Sequence, residues 1–107
     1  MGRTHKVIFA PQASRDLEAI VRYIVRHSSP EIAERFGVQL VEKALSMASL
    51  PERGRVVPEV GEPFREIIFR SYRIVYRLSD SLVEVVRFWH AARGVPQIDS
   101  DEFGPKS

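Results

Sequence analysis

The chain has 107 residues, one domain's worth, with 16 basic and 14 acidic side chains, a net charge of +2 and no cysteine. The missing cysteines exclude disulfides and thiolate metal sites and fit a reducing, cytoplasmic setting. No stretch approaches the ~20 apolar residues that span a bilayer, and the apolar run at 7–10 is too short for a signal peptide, so no membrane association is expected. Lys6–Phe9 reads as a short strand. Pro11 suits a first helical turn, where its missing N–H costs nothing. Ala13, Leu17, Ile20, Val21, Ile24 and Val25 then recur at helical spacing, with Arg15, Asp16, Glu18, Arg22 and Arg26 on the other side, to an end near His27.

A second helix starts at once. Ser28 or Ser29 can cap it, Pro30 fits its first turn, and Glu31 stands three residues after Ser28 as in a capping box. Ala33, Phe36, Leu40, Val41, Ala44 and Ala48 trace its apolar stripe. So short a connection predicts an antiparallel helical hairpin. Pro51, Gly54, Pro58, Gly61 and Pro63 mark a long irregular loop. Residues 64–69, 72–79 and 82–90 are rich in β-branched and aromatic side chains and read as three strands, with tight turns at Arg70-Ser71 and Asp80-Ser81. The expected fold is α+β: an N-terminal strand and a two-helix hairpin on one face of a small, mainly antiparallel sheet. Residues 1–93 form a single domain, and 94–107 are expected to be a loosely held, polar acidic tail.

A two-residue turn at Asp80-Ser81 places Leu78 opposite Val83, Arg77 opposite Glu84, Val75 opposite Val86 and Arg73 opposite Phe88. Because side chains alternate between faces, Ile74, Tyr76, Leu78, Val83, Val85 and Trp89 then face the helices, with Arg87 snorkelling to an edge. The helix-free face receives Arg73, Arg77, Glu84, Phe88, His90, Val75 and Val86, joined by Phe64, Glu66 and Ile68. Arg77 and Glu84 read most simply as a cross-strand ion pair. Arg73 and His90, near one end of the two strands, have no obvious carboxylate partner. The region 53–93 carries eight arginines against five acids, whereas 94–107 has one lysine against three acids. A balance this mild does not by itself imply nucleic-acid binding.

Three segments resemble the RelE/ParE toxins: 7–24 (VIFAPQASRDLEAIVRYI), Phe64-Arg65-Glu66-Ile67 with the run 72–77 (YRIVYR), and 83–93 (VEVVRFWHAAR). The resemblance covers residues 6–94 and implies one half of a type II toxin–antitoxin pair. RelE-like members cut mRNA on the ribosome; ParE-like members inhibit DNA gyrase without being enzymes. For a nuclease, the resemblance assigns Arg73 to the charged phosphate and His90 to proton transfer, with Glu59 or Glu62 as a base. Against the nuclease, His90 is followed by Ala91-Ala92 where RelE-like members often carry a tyrosine, and the chain has only three lysines. The ParE-like reading is therefore preferred, with a RelE-like endoribonuclease or an inactive toxin-like binding module as alternatives. The implied target-binding residues are Arg65, Arg73, Phe88, His90 and Arg93. The implied partner is an acidic antitoxin from an adjacent gene, meeting Tyr23, Arg26, Phe36 and Leu40 on the hairpin; alternatively Phe36 and Leu40 are simply core. No metal or organic cofactor is expected, since His5, His27 and His90 fall in separate elements.

Overall fold

The computed structural model describes residues 4–98. Strand β1 (Lys6–Phe9) leads into helices α1 (Pro11–His27) and α2 (Pro30–Leu45), a short 3-10 helix (Ser46–Ala48), strands β2 (Arg55–Val56), β3 (Phe64–Phe69), β4 (Tyr72–Leu78) and β5 (Leu82–His90), and a second 3-10 turn (Ala91–Arg93). The sheet runs β1-β5-β4-β3-β2. Only the β1–β5 pairing is parallel; the other three are antiparallel. The α+β expectation holds. The two-residue strand β2 was not foreseen, being too short to show a period.

The helix boundaries follow their caps. Ala10 precedes Pro11 in extended conformation. Ser29, not Ser28, caps α2, its side chain accepting the Ile32 N–H at 3.1 Å. The apolar stripe expected to run through Ala48 ends as α-helix at Leu45. The helices meet through small side chains: a Cβ on Gly37 would lie 3.0 Å from Val21 Cγ2, so α1 and α2 approach closely there. Between the hairpin and the sheet, Ala13, Ile20, Leu40, Ala44, Met47, Ile67, Ile74, Tyr76, Val83, Val85 and Phe88 form the main core.

The expected β4–β5 register holds at first and then slips. Leu78 pairs with Val83, Arg77 with Glu84 and Tyr76 with Val85, but Val75 pairs with Arg87, Ile74 with Phe88, Arg73 with Trp89 and Tyr72 with His90. Val86 is thus an extra residue, a β-bulge, and every later side chain of β5 changes face. Phe88, expected on the helix-free face, is in the main core. Trp89 and Arg87, expected beneath the helices, stand on the helix-free face beside Arg73. His90 follows Phe88 to the helix side, where it meets the ring of Tyr72 edge-on at 5.0 Å.

The helix-free face carries its own small core: Ala10, Val57, Val75 and Val86, with Phe64 and Ile98 packed against it. The expectation of a loose tail is overturned for residues 94–98. Pro96 is buried and Ile98 half-buried on this face. The rest of the expected tail lies outside the described residues.

Candidate functional site

Arg73 sits in the middle of the helix-free face and is only 7 % exposed. The absence of a carboxylate partner, expected from sequence, is wrong. Its Nε donates to Glu66 Oε1 at 2.6 Å and its Nη2 to Glu59 Oε1 at 2.7 Å. Nη1 donates to the Gly94 carbonyl at 3.1 Å and reaches Glu59 Oε2 at 3.3 Å. Glu66, on the adjacent β3, is buried and also takes Arg55 at 2.7 Å. Glu59 comes from the long loop. The hydrogen bond from Arg73 holds the Glu59 carboxyl below its usual value, and the bonds to Glu59 and then Glu66 hold the Arg73 guanidinium above its own. The cation at the centre of the face is therefore matched by two anions, one of them fully buried.

A second arginine is equally committed. Arg87 Nε and Nη2 fork onto Asp16 at 2.8 and 2.9 Å, and Nη1 donates to the Gln97 carbonyl at 2.6 Å. Asp16, expected on the solvent side of α1, is buried. Pairing of β1 stops at Val85, and beyond it Asp16 Oδ2 accepts the backbone N–H of Phe88 at 3.0 Å. One carboxylate thus ties helix, strand and guanidinium together.

Trp89 lies between these groups, 2 % exposed, its Nε1 donating to the Gly94 carbonyl at 3.0 Å. The guanidinium carbons of Arg87 and Arg93 lie 4.8 and 3.8 Å from its ring centroid, a cation–π arrangement. Arg93 is exposed. Arg65 is half-buried and holds the long loop, donating to the Gly54 carbonyl at 2.9 Å. His90 Nδ1 accepts the Ala92 N–H at 3.1 Å, across the sheet from Arg73. The proposed pairing of Arg73 with His90 on one face therefore does not form, because the bulge intervenes. Tyr72, next to His90, has its hydroxyl pushed upward in pKa, first by burial and then by Tyr23.

The hairpin offers a different surface. Tyr23 is 61 % exposed and stacks on His27 at 4.0 Å; Arg26 is exposed. Phe36 is half-buried against Phe69 and Tyr72. Leu40 is wholly buried and is core, not interface, because it lies on the α2 stripe that meets the sheet. The outward groove is lined instead by Leu17, Val21, Pro30, Gly37, Val38 and Val41, with Glu34 and Glu42 at its rim. Val38 is 50 % exposed there. Sequence reading missed this groove because it placed Leu17, Val21 and Val41 on the core-facing stripes and left Val38 unassigned. Val38 falls off the Ala33–Leu40–Ala44 stripe, and that was the available signal.

The family model for the ParE toxin of type II toxin–antitoxin systems matches residues 7–95. The chain belongs to the ParE toxin family. It is 39 % identical over 89 residues to Toxin RelE2 of Caulobacter vibrioides, covering 82 % of this chain and 97 % of that protein. To Toxin RelE1 of the same organism it is 37 % identical over 92 residues, covering 81 % and 94 %. A chain of the chromosomal ParDE system from P. aeruginosa superimposes with a TM-score of 0.73 at 18 % identity, over 81 % of this chain and 96 % of that one. A chain of the RelBE2 toxin–antitoxin complex from Mycobacterium tuberculosis gives 0.65 at 23 %, over 82 % and 92 %. These two likenesses show the shared fold. The protein is thus a type II toxin of the ParE/RelE kind. The ParE match ends at Val95, so Pro96, Gln97 and Ile98, which pack on the sheet face, lie outside it.

Proposed function

We propose that this toxin acts as a binder of DNA gyrase, in the ParE manner, and is neutralised by an acidic antitoxin from an adjacent gene. The observation that carries the first half is the state of Arg73. A nuclease of the RelE kind needs a cation free to stabilise the pentavalent phosphate and a proton donor within reach of the leaving oxygen. Here that cation is engaged by Glu59 and Glu66, and His90 is on the opposite face. Moving Arg73 onto a phosphate leaves Glu66 buried without its closest guanidinium, a change that costs several kcal/mol by the usual scale for broken buried pairs, about 3–5. Target contacts come instead from exposed Arg93 and the C-terminal end of the helix-free face.

The second half rests on the hairpin groove. Its apolar lining suits the apolar face of an amphipathic helix, and Arg22, Arg26 and Arg35, exposed on the same two helices, attract an acidic chain. The two structural neighbours come from toxin–antitoxin systems. Purified toxin, added separately to a gyrase supercoiling assay and to translating ribosomes, tests the reading. Loss of supercoiling with intact mRNA is expected. Cut ribosome-bound mRNA with unaffected supercoiling would transfer the protein to the nuclease class, and co-purification with the adjacent gene product checks the antitoxin.

A further inference from the structure

Residues 94–98 leave the domain at Gly94, whose φ of +85° is open to glycine and strained for other residues, and then cross the helix-free face. Three side chains of that face donate to carbonyls of this short segment: Trp89 Nε1 and Arg73 Nη1 to Gly94, and Arg87 Nη1 to Gln97. Pro96 is buried on the way, and Ile98 joins the small core of Ala10, Val57, Val75 and Val86. The acceptors are all backbone carbonyls. Beyond the hinge at Gly94, the grip therefore depends on side-chain identity mainly at Pro96 and Ile98, and a partner bringing oxygen acceptors and apolar groups to the face competes with it directly. The family match ends at Val95, within this segment, so that Gly94 lies inside it and Pro96, Gln97 and Ile98 beyond it.

We propose that residues 94–98 form an intramolecular strap that covers the Arg73–Arg87–Trp89 face and holds down the toxin's activity until it is displaced. The inference rests on the reading above that the C-terminal end of this face meets the target. A ligand that binds only the uncovered form has its apparent affinity reduced by the uncovered fraction. The same fraction governs exposure of the Trp89 indole N–H, which is a unique probe because the chain has one tryptophan. Opening the strap must therefore move two independent readouts together.

The test uses the full-length chain and two variants. Ile98→Asp places a charge in the small apolar core. Gly94→Val strains the hinge without a packing clash, since a Cβ there meets nothing within 4 Å. Indole N–H exchange is followed by NMR, fold retention by circular dichroism, and potency by growth inhibition at matched expression and by gyrase inhibition. Both variants are expected to exchange about tenfold faster and to inhibit growth at about tenfold lower dose, the two factors agreeing because one open fraction sets both. Faster exchange with unchanged or weaker growth inhibition overturns the strap as a cover and makes it a structural element or part of the target surface. Unchanged exchange in both folded variants, or no growth inhibition by any form, also overturns it. If Ile98→Asp fails to fold, Gly94→Val carries the same comparison. Stronger growth inhibition without any effect on gyrase supports the strap while removing the gyrase reading.

Discussion

At the scale of single residues, the decisive fact is that the arginines of the helix-free face are partnered. From sequence, Arg73 had no obvious carboxylate partner. With Glu66 wholly buried beneath it, Arg73→Ala is expected to destabilise the fold by about 3 kcal/mol, the low end of the range for a broken buried pair, because Arg55 still reaches the orphaned carboxylate. Urea unfolding measures this; a change under about 0.5 kcal/mol, the surface norm, would return Arg73 to the free cations. Glu59 adds a pH signature. Its carboxyl is held below the ordinary 4.5 by Arg73. A lowered carboxyl stabilises the native state above its unfolded value, and that contribution is lost as pH falls through its folded value. The stability gap between the wild type and Glu59→Gln should hence be constant from neutral pH down to about 5.5, one unit above that ordinary value, and close in stronger acid. A gap that widens in acid would contradict the geometry.

At the scale of elements, the helices, the turns and four of the five strands were legible because each carries a local signal: proline at a first turn, a helical apolar stripe, β-branched runs between turn residues. The faces of β4 were legible throughout, and those of β5 only up to Val86. A bulge adds one residue without any change in composition, so the pattern Val-Val-Arg-Phe-Trp-His reads equally well in either phase. The partners of Arg73 were missed for another reason: the sequence places Glu66 on its face, but diagonally on the neighbouring strand, and Glu59 comes from the loop, which only tertiary packing brings near. On α2 the distinction between Leu40 and Val38 now makes a clean contrast. Val38→Asp should leave unfolding free energy within about 0.5 kcal/mol while weakening the antitoxin complex by at least about tenfold, read by titration calorimetry. Leu40→Asp should fail to fold, since it buries an unpaired charge. Equal antitoxin affinity for Val38→Asp would move the interface off this groove.

At the scale of the whole molecule, the sheet divides two unequal compartments. Helices seal one side with a continuous apolar core. The other side is closed by a loop, two ion-pair clusters and the chain's own C-terminal segment, so its order depends on charge pairing and hydrogen bonds that solvent can replace. The modest net charge follows the same division: the arginines of the second half are largely consumed within the fold, and those of the helices remain outside, where they can meet another chain.

The bulge at Val86 has a consequence for how this protein tolerates change. A strand with one uninterrupted phase would show a two-residue rhythm of sensitivity along its whole length. In β5 that rhythm must break. Saturation mutagenesis scored by folding should find Val83 and Val85 intolerant of polar residues, then two adjacent intolerant positions at Val85 and Val86, then the rhythm resumed one step out of phase with Phe88 strict. Deleting Val86 alone should be worse than replacing it. The deletion would turn Arg87 and Trp89 inward together and Phe88 outward, so a single codon stands between the present molecule and one with its two faces exchanged at that end.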